Sequence, residues 1–179
     1  MTIYRYYSMT ATTGIAACLC ITAPAHAGSG GWDEASSITR SALVAAALGL
    51  PAVRSDWNGA AQAAGSIGAA ALLTYGLKQS IPEWRPDRSD RKSFPSGHTS
   101  VSFAAAATLE NRYGWQAGLP AHLAALFVGI ARVKADKHHW HDVAAGALLG
   151  EASSLLITRR QDDRVQYFPW AEGKGGGVA

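Results

Sequence analysis

Arg132-Val-Lys-Ala-Asp-Lys-His138-His139-Trp140-His141-Asp142 lies between two Ala/Leu/Gly-rich segments, Leu119 to Val133 and His141 to Ile157. Six of its eleven residues carry or can acquire positive charge and two are acidic, while the flanking segments read as buried helices. His138 and Asp142 are four apart. A helix starting near His139 therefore brings the carboxylate under the imidazole on one face. There it can hold one ring nitrogen and leave the other free as nucleophile or base. Arg132 is an always-charged planar fork suited to phosphate or carboxylate. Two plainer readings stand beside this one: a solvated basic loop with incidental histidines, and a metal site built on His138, His139 and His141. Against the metal, adjacent helical residues diverge, and neither cysteine nor carboxylate accompanies the histidines at ligand spacing.

The rest of the chain supports apolar helices joined by charged turns. Its 179 residues suffice for one domain with a core. Apolar residues make up 48% and charged ones 16%, against about 25% in soluble domains, which points to a membrane or an unusually buried bundle. The formal charge is +3, gathered between Lys78 and Lys92 and between Arg132 and Lys137. That is a local anion site, and the absence of a long basic stripe excludes a nucleic-acid coat.

Gly28 to Glu34 reads as a short polar lead-in and Ser36 to Val53 as the first helix, with a turn near Arg54 to Gly59. Trp57 to Leu77 has no charge and is long enough to cross a bilayer, and Gly65, Gly68, Ala69 and Gly76 are expected to let helices approach closely. Lys78 to Pro95 is rich in Pro, Arg, Asp and Ser and reads as an irregular loop. Ser96-Gly97-His98 opens a third helix to about Arg112; Tyr113-Gly114-Trp115 turns into the fourth, Leu119 to Val133, and His141 to Ile157 is the fifth. The tail from Gln161 to Ala179 reads as loosely ordered. The expected fold is all-α: a bundle of about five helices over residues 28–160. Traced up and down, it puts Lys78, His98, Arg132 and His139 at one end, where an active site is expected.

Residues 1–27 read as an export signal: Arg5, an apolar core from Gly14 to Thr22, and a small-x-small cleavage box at Ala25-His26-Ala27. A lipoprotein-type box ending at Cys18 ranks second. Cleavage after Ala27 removes Cys18 and Cys20, so disulfide and thiol chemistry are not expected.

Lys78 is followed after six residues by Arg85-Pro86, then come Pro95-Ser96-Gly97-His98, and then Arg132, five residues, His138, three residues and Asp142. This three-part constellation, in order and at these spacings, resembles the type-2 phosphatidic acid phosphatase superfamily, which also contains the vanadium haloperoxidases. The resemblance implies a metal-independent phosphatase, needing no cofactor, that hydrolyses lipid phosphate monoesters or pyrophosphates. It implies His138 as the nucleophile forming a phosphohistidine, Asp142 fixing its tautomer, and His98 as leaving-group acid and then base for water. Lys78, Arg85, Ser96, Gly97 and Arg132 would bind the phosphate. Charge supports that set: a phosphate monoester shields its phosphorus with negative oxygens, which three cations and a helix N-terminus can neutralise. One departure is Ala131, where the family usually has serine before the arginine; this is expected to tune binding.

Two other functions fit the cradle, a vanadium-dependent haloperoxidase and a non-catalytic binder of phospholipid head groups. His139 reads as a pocket wall, His141 as the start of the last helix and His122 as a hydrogen-bonded core residue. Trp84 and Trp140 line either the mouth or a membrane interface. The expected partner is a phosphorylated lipid, and the expected location a bacterial-type inner membrane with the site facing the periplasm; a soluble periplasmic bundle is the alternative.

Overall fold

Five helices follow one another as the alternation of apolar runs and polar turns requires: α1 (Ser29–Val53), α2 (Trp57–Ser80), α3 (Gly97–Tyr113), α4 (Trp115–Lys134) and α5 (Trp140–Ile157). The computed structural model describes residues 28–160, 169–172 and 175–178. The expected signal and its cleavage box lie outside the described residues. One reading needs correction. The lead-in at Gly28 to Glu34 is already helical from Ser29, because its polar side chains find partners: Asp33 pairs with Arg132 and accepts a bond from Ser36 Oγ through its backbone oxygen. Among the described residues of the tail, β1 (Pro169–Glu172) and β2 (Gly175–Val178) pair antiparallel, with Pro169 opposite Val178.

α3 packs against each of the other four helices, which its composition allows. Ala104 to Ala107 are buried, as are Thr99, Ser100, Ser102 and Thr108, so neighbouring backbones come close and short hydroxyls bond across. Thr74 Oγ1 donates to Ser100 Oγ at 2.8 Å, and Thr108 reaches Thr158 at 3.3 Å. A close approach is made by α5, where Gly146 and Gly150 are one small-x-x-x-small step apart. A Cβ at Gly146 would lie 2.6 Å from the Ser96 carbonyl oxygen, and one at Gly150 would collide with that of Ser100. The α2 glycines expected to do this do it less: Gly65 meets only the Ile157 side chain, and Gly68 and Gly76 face open space.

The two ends of the bundle differ. At one end Asp56, the N-cap of α2, accepts from Gly59 N at 2.9 Å, from both Nε and Nη2 of Arg112, and from Tyr113 Oη at 3.0 Å. Arg112 Nη1 also donates to the Arg159 carbonyl at 3.1 Å, tying the ends of α3 and α5 to the α1–α2 turn. At the other end the C-termini of α2 and α4 meet the N-termini of α1, α3 and α5. The loop from 81 to 96, expected to be irregular, is fixed there by backbone bonds: Glu83 N to Arg91 O at 3.1 Å, Ser93 N to Glu83 O at 3.0 Å and Arg85 N to Asp90 O at 3.0 Å.

Candidate active site

Asp142 is the third residue of α5 and accepts, through Oδ2, from the N–H of the N-cap residue His139 at 2.8 Å and from Ser93 Oγ at 2.5 Å. A carboxylate here satisfies a free N–H and complements the helix dipole, which is why the helix starts where it does. His138 lies just outside the helix, in the loop. It is buried, with Nδ1 3.5 Å from Asp142 Oδ2; that is contact distance without hydrogen-bond alignment, so Nδ1 has no partner among the described residues. The four-residue spacing thus brings the pair into contact, as expected, without the aligned bond.

Arg132, in the last turn of α4, is also buried. Its Nη1 pairs with Asp33 and donates to Ser36 Oγ at 3.3 Å, both on α1, and its Nε has no partner among the described residues. Lys78 donates from Nζ to the carbonyls of Lys92 and Ser93 at 2.7 and 3.2 Å, and its Cε passes 3.9 Å from where a Cβ on Gly97 would stand. A side chain at Gly97 would touch Lys78 at ordinary contact distance. Arg85 is held by Asp90 at 2.8 Å and by the Lys137 carbonyl at 3.4 Å. Beside it a cleft of about 680 Å³ is lined by Trp84, Arg85, Pro86, Arg88 and His139. A cavity of about 530 Å³ at the opposite end of α3, by Glu110 and Trp115, contains none of the site residues.

Ser96 differs from expectation. It is fully buried, its hydroxyl bonds Thr99 Oγ1 at 2.8 Å, and its N–H donates to the Asp142 carbonyl at 3.0 Å. It joins the starts of α3 and α5, while the N–H groups of the first α3 turn, from Gly97 on, have no intrahelical partners. His122 differs too. Only half-buried, it bridges α4 to α5 by bonding Glu151 at 2.8 Å and the Gly118 carbonyl at 2.9 Å.

His98, the second residue of α3, faces α1, with Nε2 3.1 Å from Ser37 Oγ and 3.3 Å from Arg40 Nη1. A guanidinium can only donate, so Nε2 is the acceptor and His98 is the neutral tautomer with its proton on Nδ1. Burial, then the Arg132 and Arg40 charges, push its pKa down to about 3. Burial also lowers His138; the Asp142 contact opposes this, and the charges of Lys78, Arg132 and Arg85 reinforce it. Burial and the Arg85 charge lower Lys78 to about 8. Burial raises Asp142, but the contacts from His138, Ser93 and the His139 N–H outweigh it and hold the carboxyl well below its ordinary range. These groups sit at helix ends or in the loop, outside the apolar helix middles. The result is a neutral imidazole on an ionised carboxylate inside a ring of cations, an arrangement able to attack an anionic electrophile.

Sequence reasoning missed the contribution of α1. Asp33, Ser36, Ser37 and Arg40 recur at helical spacing on one face, and that polar stripe in an otherwise apolar helix was the available signal. Ser93 and Glu83 reach the site from the 81–96 loop and carry no such pattern. Glu83 Oε1 lies 2.8 Å from His141 Nε2 and 3.2 Å from His139 Nδ1.

Comparison with known proteins agrees with this geometry. Lipid phosphate phosphatase 1 of Arabidopsis thaliana is 46% identical over 97 residues, 46% of this chain and 28% of that protein. The crystal structure of Aquifex aeolicus LpxE superposes with a TM-score of 0.62 at 20% identity, covering 72% of this chain and 84% of that one. The transmembrane PAP2 type phosphatidylglycerolphosphate phosphatase of Bacillus subtilis gives a TM-score of 0.56 at 27% identity, covering 72% of each chain. The chain spans less than half the length of the curated relatives it matches. The model of the PAP2 superfamily matches residues 59–166, and the chain, with its three charged motifs gathered at one end of an all-helical bundle, belongs to that superfamily.

Proposed function

We propose that this chain hydrolyses lipid phosphate monoesters or pyrophosphates through a phosphohistidine on His138. The observation that carries this is that Arg132 Nε and His138 Nδ1 are both buried and without a hydrogen-bond partner among the described residues. A buried cationic N–H without an acceptor is costly unless a ligand anion completes it. In the reaction, His138 Nε2 attacks phosphorus as the bond to the ester oxygen breaks, and Asp142 takes the Nδ1 proton into a hydrogen bond, stabilising the imidazolium charge. Lys78, Arg85, Arg132 and the N–H groups at Gly97 neutralise the phosphoryl oxygens.

His98 is neutral in the free site, so its acid role needs a proton that arrives with the substrate. A bound phosphate offsets the cations that depress His98, and a monoanionic ester carries its own proton. The protonated ring then gives that proton to the departing alkoxide and, once neutral, takes one from the water that opens the phosphohistidine.

The lipid reading rests on the relatives' names and on the surface. Ile38 and Val53 on α1, Leu72 and Leu73 on α2, Leu119 and Leu123 on α4, and Leu155 and Leu156 on α5 are all exposed. Such an apolar girdle fits a membrane better than water. Two helices, α1 and α4, are long and apolar enough to cross a bilayer; we infer attachment through them, with the charged mouth on the outer face of an inner membrane.

Phosphate release from phosphatidate, phosphatidylglycerophosphate, a polyprenyl pyrophosphate and a lipid A phosphate in mixed micelles tests the substrate class. Release from none of the four would reject it, and bromide oxidation with vanadate and peroxide would select the haloperoxidase. For the covalent step, an aryl phosphate needs little proton help to leave. His98→Ala should therefore accumulate acid-labile phosphohistidine from it, and His138→Ala should form none. The reverse pattern would mean exchanged roles.

A further inference from the structure

We propose that Glu83, His139, His141 and Asp142 form a binding site for a divalent transition-metal ion of the zinc class, and that an ion held there silences His138. The four side chains come from the 81–96 loop and the start of α5, and their ligand atoms all lie within 4.8 Å of one another. Glu83 Oε1 is 2.8 Å from His141 Nε2 and 3.2 Å from His139 Nδ1; Asp142 Oδ1 is 3.1 Å from His141 Nε2, and Oδ2 is 3.4 Å from His139 Nδ1. Four ligands at the usual zinc bond lengths of about 2.0–2.2 Å stand about 3.3–3.6 Å apart at the corners of a tetrahedron. Three of the four contacts fall in or just below that range and the Glu83–His141 contact is shorter, with every ligand atom within 4.8 Å of the others, so the four side chains are close enough to share one ion after side-chain adjustment.

The second observation is Asp142 itself. Its side chain is fully buried, and Oδ1, the oxygen facing His141, has no hydrogen bond among the described residues. Oδ2 is already engaged by Ser93 and the His139 N–H. An ionised oxygen in that position lacks a hydrogen-bond donor, and the neighbours at hand are imidazole nitrogens that can offer a metal their lone pairs. Two neutral imidazoles and two carboxylates favour zinc-class ions; magnesium and calcium prefer all-oxygen shells.

The consequence rests on the phosphatase reading above. Asp142 is the carboxylate beside His138 Nδ1, and ligation draws its charge toward the metal and away from the imidazolium that forms during attack. Glu83 and His141 are ligands with no part in that chemistry, so they separate the two functions.

The test uses the full chain in detergent micelles, without a polyhistidine tag and stripped of metal. Calorimetric titration with zinc chloride should give one ion per chain, undisturbed by excess magnesium, with turnover lost in step. Glu83→Gln with His141→Ala, and His141→Gln alone, should keep the metal-free turnover and melting temperature and weaken zinc binding by about 100-fold or more. Unchanged zinc affinity in both variants, or no zinc binding by the parent, would overturn the site. Zinc bound at full turnover would overturn the silencing. Absence of turnover in the metal-free parent would count against the phosphatase reading alone, because calorimetry reads the site without substrate.

Discussion

Replacing Asp142 by Asn removes one charge and almost no volume, and its effect can be sized from the site. Oδ2 stands 3.5 Å from His138 Nδ1. At an effective dielectric constant of about 20, a full negative charge at that distance stabilises an imidazolium by about 5 kcal/mol. At about 1.4 kcal/mol per factor of ten, this is a fall of about 10³–10⁴-fold in kcat. KM for an aryl phosphate should stay within about threefold, because Lys78, Arg85 and Arg132 are untouched. Folding changes less. The His139 N–H cannot accept, so the amide must put its oxygen where Oδ2 stood and its NH2 where Oδ1 stood, a buried position without a hydrogen bond. Weakening two charge-assisted bonds costs about 1–3 kcal/mol, which differential scanning would read as a lower Tm without loss of cooperativity. The assay is steady-state hydrolysis with a chelator present, for parent and variant side by side. A variant that melts cooperatively and loses less than tenfold in kcat would refute the charge-holding role of Asp142.

Three more outcomes are expected. Asp56→Ala leaves the Arg112 guanidinium buried without its partner, and should destabilise the fold by about 3–5 kcal/mol while leaving KM unchanged in whatever fraction folds; denaturant titration measures it, and adding Arg112→Met should recover much of the loss. Gly150→Val drives a side chain into the α3 backbone at Ser100, and should cost at least about 1–3 kcal/mol of overpacking, against near-neutrality for Gly76→Ala, apart from helix propensity. Stability should fall with acid in two windows. Unfolded chains protonate His98 near pH 6.5 and the folded chain only near 3, so its contribution is complete above 6.5 and declines below it; Asp142, held low in the fold, adds a further loss below about 4. Thermal midpoints at pH 7.5, 6 and 5 should show the first slope, flattened in His98→Gln.

The five helices were readable because this chain separates apolar runs from charged turns sharply, and the mouth was readable because residues of the three motifs end up at helix termini on the same side. The surroundings of Ser96 were not legible because motif membership says nothing about which way a hydroxyl points; burial and Thr99 decide that. The α1 contacts escaped for a different reason: Asp33 and Arg132 are 99 residues apart, and only packing of α1 along α4 makes them neighbours. Gly146 and Gly150 lie in a stretch that reads simply as apolar helix, so which glycines permit close approach became visible only once α3 lay against α5.

The Asp33 pair means that Arg132 keeps a counter-ion in the unliganded protein. On the phosphatase reading, an arriving phosphate finds Arg132 Nε open and competes for Nη1 with a carboxylate that belongs to the chain. Measured affinity is then an exchange constant, set by the difference between two anions on one fork. It follows that Asp33→Asn should tighten inorganic phosphate binding even as it loosens the start of α1, and that occupancy of the site and the seating of that helix's first two turns are one equilibrium read from two sides.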